Sequence, residues 1–533
     1  MAAQRVAIIG AGASGLCALK CCLDEGLVPT CFERSGDIGG LWRFEVSPVP
    51  CQPALQQLHR RDWDRSLAAN EAPLPCFACI QGKPQERNTA AAVAGARGAS
   101  RSSPWLETPP PHWAPSQGCT APVGHTAPRA FPKHTTSLSR WTATPCPTSL
   151  PSMASLSLPG LEKFEGWYLH SRDYKSPQSF LGKRVVVVGT GNSGIDIAVE
   201  LSHAAKQVFL STKRGTWVMH RVADGGYPFD FTYISRFIQL LHSLLPHNAS
   251  SFFMERKLNA RFDHALYGIQ PQHRIFDQHP TINDDLPNRI ISGRVLVKPN
   301  IQEFTETSAV FVDGTREGID AVVFATGYSF SFPFLEGCVK VVENQIPLYK
   351  FMFPPDLEKP TLAFIGLIQP LGAIMPISEL QCRWATRVFK GLQDLPPSAD
   401  MLAEIAQAKE KMAKRYVKSQ RHTIQVDYIP YMDELACQVG VKPNLLALFL
   451  TDPKLALEVA FGPCTPYQYR LRGPGKWSGA REAILTQRQR VVRPLQTRTG
   501  ARPARSSTVP HIFMVFFSIG LIAATIVYVS LSP

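Results

Sequence analysis

The stretch V6-A-I-I-G-A-G-A-S-G15 decides the fold of the N-terminal part of this 533-residue chain. Its apolar start predicts a short buried strand, and the following "SGLCALKCCLDEG" has the apolar period of a helix. Small residues in the intervening loop let the backbone approach a pyrophosphate at the helix N-terminus. The next strand, "TCFERS", ends in Glu33, and a carboxylate there accepts hydrogen bonds from ribose hydroxyls.

A second glycine loop, Gly189 to Gly194, occurs in the same strand–loop–helix context after "KRVVVVG". Its second strand ends in "FLSTKRG", without an acid. A carboxylate would repel a 2′-phosphate, whereas hydroxyls and cations would bind one. The first loop therefore suits FAD, the second suits NADPH, and the sequence predicts an α/β chain with two Rossmann-like domains.

Two dinucleotide folds in one chain also fit a disulfide reductase, which would need a redox cysteine pair just after the first motif. Cys17, Cys21 and Cys22 lie on the predicted first helix, and we interpret them as core residues. We interpret the C76-F-A-C79 spacing as a chance occurrence without a partner pair, and no metal site is expected. The basic residues lack the interleaved aromatic residues expected of nucleic-acid binding.

The motifs resemble those of the flavin-containing monooxygenases. "FEGWYLHSRDYK" (164–175) matches the family pattern that precedes the NADPH loop, "GGLWRF" (39–44) its second flavin contact, "GTGNSGID" its NADPH loop and "FATGY" (324–328) its linker. "HRIFDQHPTINDDLPNRIISG" and "LIQPLGAIMPISELQ" are most similar to the fifth vertebrate form, which is associated with Baeyer–Villiger oxidation. His170 in the first pattern is interpreted as structural.

The loops and the resemblance together give two sets of cofactor-binding residues. For FAD these are Gly10, Ala11, Gly12, Ala13, Ser14, Gly15, Glu33, Gly40, Leu41, Trp42 and Gly327. For NADPH they are Gly189, Gly191, Asn192, Ser193, Gly194, Ile195, Asp196, Ser211, Thr212, Lys213 and Arg214. Asn192 is the candidate catalytic residue, because its amide can reach a nicotinamide or an oxygenated flavin.

The resemblance implies an activity. NADPH reduces FAD, the reduced flavin takes up dioxygen as a C4a-peroxide, and bound NADP⁺ shields that peroxide from water. Oxygen then passes to a nitrogen or sulfur nucleophile, or to a carbonyl, of a small lipophilic substrate. The cofactor supplies this chemistry, so no acid–base dyad is expected. Homo-oligomers are compatible with the sequence.

Residues 46–155 depart from the family pattern. They contain 17 of the chain's 45 prolines, and we expect irregular structure there. The family has an Asn-Thr/Ser pair at the junction of flavin and NADP⁺, and the resemblance implies that its asparagine helps to hold the peroxide; this sequence has no counterpart of the pair. Two alternatives therefore stay open: an impaired relative, or an uncoupled NADPH oxidase that releases hydrogen peroxide.

The C-terminus carries a membrane signal. Residues 512–531 form an uncharged run of 20, about the length that crosses a bilayer as a helix, and Arg498, Arg502 and Arg505 precede it. With no secretory signal at the start, this pattern predicts a cytosolic body anchored in a membrane. The resemblance implies that the membrane is the endoplasmic reticulum.

These features predict a division of the chain. Residues 1–45 begin the FAD domain, 46–155 form the aberrant segment, and 156–325 form the NADPH domain with an amphipathic insertion at 215–290. The remaining ranges are the returning FAD domain and helices at 326–445, a C-terminal region at 446–510 whose residues 483–509 are a basic tether, and the transmembrane anchor at 511–531.

Overall fold

The first glycine loop lies on a parallel sheet of four strands in the order β14–β3–β1–β2. The computed structural model describes residues 4–33, 38–40, 158–335, 339–417 and 423–498, together with the backbone of 76–79. The elements of this sheet are β1 (Arg5–Ile9), α1 (Ala13–Asp24), β2 (Val28–Phe32), β3 (Cys76–Cys79) and β14 (Leu362–Ile365). Val6 and Ile8 of β1 are buried beneath α1, as the apolar strand predicts.

The second glycine loop lies on a separate parallel sheet, in the order β4–β13–β5–β6–β9. Its elements are β4 (Trp167–His170), β5 (Arg184–Val188), α2 (Asn192–Leu201), β6 (Gln207–Ser211), β9 (Val295–Lys298) and β13 (Ala321–Phe324). The inner residues of β5 and β13 are fully buried, because helices and a small antiparallel sheet cover the two faces. That antiparallel sheet consists of β10 (Ile301–Phe304), β11 (Ser308–Phe311) and β12 (Arg316–Gly318).

The predicted insertion separates β6 from β9. It contains β7 (Val218–Met219), α3 (Phe229–Tyr233), α4 (Arg236–Leu244), α5 (His247–Asn259), β8 (Thr281–Ile282) and α6 (Leu286–Ile291). Helices occur where the alternation of apolar and basic residues predicts them, and β7 pairs with β8.

After β13 the chain returns to the first sheet through β14. The remaining elements are β15 (Gln369–Pro370), α7 (Ile374–Phe389), α8 (Ser398–Arg415), β16 (Gln425–Val426), α9 (Tyr428–Val439), α10 (Leu445–Thr451), α11 (Pro453–Phe461), α12 (Ala480–Leu485) and α13 (Gln487–Val492). Helix α7 packs against α1, and together they bury Cys21, Cys22 and Cys382 in the core, where we expected the α1 cysteines.

Two local predictions are wrong. The segment 46–155 supplies the strand β3, which pairs with β1 and β14 even though its surroundings are rich in proline. The basic tether cannot begin at 483, because Ile484 and Gln487 are buried in helices that continue to 492. In both cases tertiary packing overrides local composition.

Several predictions lie outside the described residues. These are the flavin contacts Leu41 and Trp42, most of 46–155, and the apolar run 512–531. Within the part of the chain that the structure describes, no helix is long and apolar enough to cross a membrane.

Candidate cofactor sites and their junction

The first glycine loop is held tightly at the carboxyl end of β1. Gly10 has φ +101°, a conformation that favours glycine, and its N–H donates to the carbonyl of Phe32 over 2.7 Å. A Cβ on Gly15 would overlap the carbonyl oxygen of Gly10, so only glycine lets the helix begin this close to the loop. The two glycines are therefore required by the turn itself.

Glu33 lies beside this loop, as the motif predicts. Its Oε2 accepts a hydrogen bond from the Ala11 N–H over 2.6 Å. The carboxylate is thereby fixed at the end of β2, next to the backbone that would approach a pyrophosphate. It has further acceptor capacity, since an ionised carboxylate offers about four lone-pair positions.

The start of α1 can receive an anion. Gly12 is its N-cap, and among the described residues no side chain caps the first turn. The Gly39 N–H donates to the carbonyl of Ala11 over 2.9 Å, which brings Gly39 and Gly40 to the same loop. Free N–H groups at a helix start bind phosphate, so the loop fits a dinucleotide.

The second loop repeats this geometry. Gly189 has φ +113°, and a Cβ there would lie 2.6 Å from the carbonyl oxygen of Ala325, while a Cβ on Gly194 would overlap the carbonyl oxygen of Gly189. Gly191 differs, because apart from its own neighbours in the chain no described atom lies within 4 Å of the position its Cβ would take. The space over Gly191 is thus open to a ligand, and this cradle fits a second dinucleotide.

A cleft of about 1380 Å³ opens beside this second loop. Thr212, Lys213 and Arg214 line it, and both cations are exposed. Ser211 lies apart from them: it is 1% exposed, and its hydroxyl donates to the carbonyl of Pro299. Of the four residues proposed for the 2′-phosphate, three therefore face the cleft.

The cleft has further polar residues that the motif did not indicate. Lys298, at the end of β9, and His273 line it together with Arg214. Lys298 pairs with Glu317 over 2.7 Å, and burial lowers the pKa of His273. The carboxyl end of β9 is the sequence signal that could have indicated Lys298, because ligands bind at this edge of a parallel sheet.

A segment that sequence reasoning did not assign, Thr281 to Asn283, holds the second loop in place. The Thr281 hydroxyl donates to the carbonyl of Thr190 over 2.7 Å, and the Ile282 N–H donates to Oδ1 of Asn192 over 2.8 Å. The Asn283 amide donates to Asp196 over 2.9 Å. The segment thus fixes the Asn192 side chain with its amide NH₂ group as the donor left for a ligand.

Asp196 is also paired with Arg221, over 3.6 Å. Burial raises its pKa, while the Asn283 amide and the Arg221 guanidinium oppose that change. These contacts lie on the side of α2 that faces the segment. We therefore assign Asp196 to the support of the loop, alongside its predicted place in the NADPH set.

His170 has the structural role we expected. Its Nδ1 accepts from the Arg172 N–H, so the proton is on Nε2, which donates to the carbonyl of Gly327 over 3.1 Å. Burial lowers the pKa of His170, which favours this neutral form. The "FEGWYLHSRDYK" motif is thereby tied to the "FATGY" linker, at the carboxyl edge of the second sheet.

The two halves meet at this edge. His279 Nε2 lies 3.2 Å from the carbonyl oxygen of Pro370, which connects the segment beside the second loop with the chain that follows β14. Thr326 Oγ1 is buried in the linker, with no hydrogen-bond partner in the described ranges. No cluster of three or more His, Cys, Asp or Glu side chains that could hold a metal ion occurs in those ranges.

Comparison with known proteins identifies the family to which the chain is similar. A family model described as flavin-binding monooxygenase-like matches residues 3–53 and 146–531. Flavin-containing monooxygenase 5 of Oryctolagus cuniculus is 50% identical over 99% of this chain and 100% of its own length, and that of Homo sapiens is 48% identical with the same coverage. The interval between the two matched ranges lies inside the aberrant segment 46–155.

Among solved structures, cyclohexanone monooxygenase from Rhodococcus sp. Phi1 bound to NADP⁺ aligns with a TM-score of 0.46 and 13% identity. The alignment covers 82% of this chain and 98% of that one.

Proposed function

The chain belongs to the flavin-binding monooxygenase-like family, as its motifs predict, and we propose that it oxygenates small lipophilic molecules with NADPH and dioxygen. It is a flavin monooxygenase with FAD and NADPH as cofactors. One oxygen atom of O₂ enters the substrate and the other leaves as water, with NADPH and a proton as the source of reduction. The acceptor is a nitrogen or sulfur nucleophile, or a carbonyl group in a Baeyer–Villiger oxidation.

The different second contacts of the two glycine loops carry this proposal. In the first loop Glu33 lies against Ala11, which supports a ribose with free hydroxyls. In the second, Lys213 and Arg214 line a cleft, which supports a 2′-phosphate. FAD has free hydroxyls on its adenosine ribose, whereas NADPH carries a 2′-phosphate there, so the first loop suits FAD and the second suits NADPH.

When bound, FAD supplies the activation of dioxygen and NADPH the reducing equivalents. The protein residues bind and orient the two cofactors and exclude water from them. The uncapped starts of α1 and α2 would receive the pyrophosphates, and the Asn192 amide, which the Ile282 N–H holds through its oxygen, would be available as a donor to NADPH. The neutral His170 would keep the Gly327 carbonyl, and hence the linker, in a fixed orientation.

A second candidate is an uncoupled NADPH oxidase or an impaired relative. The observation that favours it is the interval between residues 53 and 146, which the family model leaves unmatched. That interval lies within the segment where the family's asparagine at the flavin–NADP⁺ junction was expected. An oxidase would convert NADPH, a proton and O₂ to NADP⁺ and hydrogen peroxide.

One experiment separates these functions. The purified full chain is examined for bound flavin, and then NADPH consumption, hydrogen peroxide and oxygenated product are measured with a sulfide and with a ketone. Product equal to the NADPH consumed supports the monooxygenase, and peroxide equal to it supports the oxidase. A chain that binds no flavin would contradict both and support the impaired relative.

We also propose that residues 512–531 anchor the protein in the endoplasmic reticulum membrane, with its main body in the cytosol. The uncharged run and the arginines before it support this orientation. Truncation after His511 should release the protein from the membrane fraction into the alkaline carbonate extract. Retention of the truncated chain in the membrane pellet would contradict the proposal.

A further inference from the structure

The loop Gly366–Gly372 connects β14 with α7 at the carboxyl edge of the first sheet. Because β14 is parallel to β1, this loop and the first glycine loop lie at the same edge. The Ser14 hydroxyl, in the first turn of α1, hydrogen bonds to the Ser378 hydroxyl of α7 over 3.2 Å. The starts of the two helices are therefore neighbours.

This loop offers two groups to a ligand that would lie at this edge. No side chain in the described part of the chain caps the start of α7. The side-chain oxygen of Gln369 is buried and lacks a hydrogen-bond partner among the described residues. An orphaned acceptor of this kind is costly unless a ligand or a water donates to it.

A chain of three hydrogen bonds holds the loop from behind. The Gly366 N–H donates to Oε1 of Gln381 over 2.8 Å, and Nε2 of Gln381 donates to the Tyr431 hydroxyl over 2.9 Å. The Tyr431 hydroxyl in turn donates to the carbonyl of Lys350 over 2.5 Å. Each donor has its acceptor, so the orientation of the Gln381 amide is determined by its partners.

We call these three hydrogen bonds the relay. Its far end, the carbonyl of Lys350, belongs to a turn that is also held in place. Lys350 has φ +51° and Phe351 has φ +56°, a conformation that non-glycine residues adopt at a cost. The Lys350 ammonium pairs with Glu404 of α8 and Glu434 of α9, and its side chain is 9% exposed. A strained turn that two helices hold in place makes a rigid support for Tyr431.

We propose that Gln381 and Tyr431 are positioning residues, which fix the loop Gly366–Gly372 against FAD bound at the first glycine loop. This inference rests on the proposed function, since it requires FAD at that site. Gln381 and Tyr431 act through Gly366, and the loop presents the Gln369 oxygen and the start of α7 to the cofactor. The relay thereby couples the packing of α8 and α9 to flavin binding.

The test uses Tyr431→Phe and Gln381→Met in the full chain, because both remove hydrogen bonds and keep side-chain size. The dissociation constant of FAD is measured by flavin fluorescence, the flavin absorbance band is recorded, and the thermal midpoint of the FAD-free protein is determined. We expect FAD to bind about three- to tenfold more weakly, as for one lost buried hydrogen bond, with a shifted absorbance band. The Tyr431→Phe/Gln381→Met double variant should bind FAD no more weakly than the single variant with the lower FAD affinity, because both changes break the same chain of hydrogen bonds.

Tyr469→Phe is the matched control. Its ring is buried like that of Tyr431, and its hydroxyl donates to Asp433 over 2.8 Å, in a network separate from the loop. We expect it to lower the thermal midpoint while FAD affinity and the absorbance band stay unchanged.

The outcomes are distinguishable. If the wild type binds FAD and the relay variants bind it equally well, the inference is overturned and the proposed function stands. If Tyr469→Phe weakens FAD binding as much as they do, the relay is merely structural and the inference is likewise overturned. A wild type without FAD overturns the proposed function together with the inference. If Gln381→Met does not fold, the FAD affinity of Tyr431→Phe alone tests the inference.

Discussion

At the scale of single residues, Lys213 and Arg214 give the most direct test of the second site. Both side chains are exposed in the cleft beside the second glycine loop, in which the space above Gly191 is open. Because charge-assisted hydrogen bonds to phosphate are strong, Lys213→Ala/Arg214→Ala should raise the KM for NADPH roughly 10- to 100-fold. The KM for NADH, which lacks the 2′-phosphate, should change little.

The control for this pair is Lys206→Ala. Lys206 is also exposed, but it precedes β6, at the end of the strand opposite the cleft. Lys206→Ala should leave the KM for NADPH and the KM for NADH unchanged. An equal rise for NADPH and NADH in the double variant would contradict a phosphate contact.

His264 gives the chain a defined response to acid. It is fully buried; Nδ1 donates to the Asn259 amide oxygen and Nε2 accepts from the Val218 N–H. Burial lowers its pKa to about 4, from the ordinary value of 6.5. Between these values the unfolded chain binds more protons than the folded one, so stability is full above about pH 6.5 and falls as the pH drops toward 4.

This difference predicts a loss on the order of 3 kcal/mol in the free energy of unfolding across that window. Urea denaturation at a series of pH values measures it. His264→Gln keeps a hydrogen-bonding amide but does not titrate in this pH range. In this variant the part of the pH dependence of the unfolding free energy that His264 contributes should disappear. An unchanged slope in the variant would contradict the assignment.

At the scale of elements, β8 and the residue that follows it are the support of the second loop. Thr281→Val keeps the shape and removes the hydroxyl that donates to Thr190. We expect the KM for NADPH to rise about three- to tenfold through the loosened loop, while FAD affinity is unchanged. Steady-state kinetics and flavin fluorescence measure the two effects.

Thr305→Val makes the same chemical change elsewhere. The Thr305 hydroxyl bonds to Ser308 within the hairpin of β10 and β11, away from both loops. Both constants should stay as in the wild type. Equal effects of the two valine variants on the KM for NADPH would show that β8 has no special connection to the site.

At the scale of the whole molecule, a buried ion pair joins the insertion to the returning domain. Arg236 at the start of α4 contacts Asp433 of α9 over 2.6 Å, with side chains 10% and 15% exposed, and also donates to Gln468. Asp433 keeps the pKa of the guanidinium above its ordinary value, against the effect of burial. This pair connects the NADPH half of the chain to the C-terminal helices.

Arg236→Met should therefore reduce the free energy of unfolding by about 3–5 kcal/mol, because it leaves the buried Asp433 carboxylate with only the more exposed Lys442 as a cation, at 3.6 Å. Denaturant unfolding measures the loss. The control is Lys414→Met, which removes an exposed pair with Glu410 on α8 and should cost less than about 1 kcal/mol. Similar losses in the two variants would contradict the role of burial.

The sequence predicted both dinucleotide folds and their order along the chain, because these depend on the period of the apolar residues and on glycines that the tight turns require. Glu33 and Lys213 were assigned from their places at strand ends, which the fold fixes within a residue or two. The prediction was wrong for 76–79 and for 483–492, where packing against distant elements decides the structure.

The amino-acid sequence by itself determined the family and the two cofactors, and it indicated the strand ends that we propose to bind them, since each of these depends on residues close together in the chain. The tertiary structure decided which side chains support those loops. Thr281 reaches a loop 91 residues away, and Tyr431 reaches Gln381 across 50 residues. Such contacts have no local pattern, because they arise only when helices and sheets pack and each buried donor must find an acceptor.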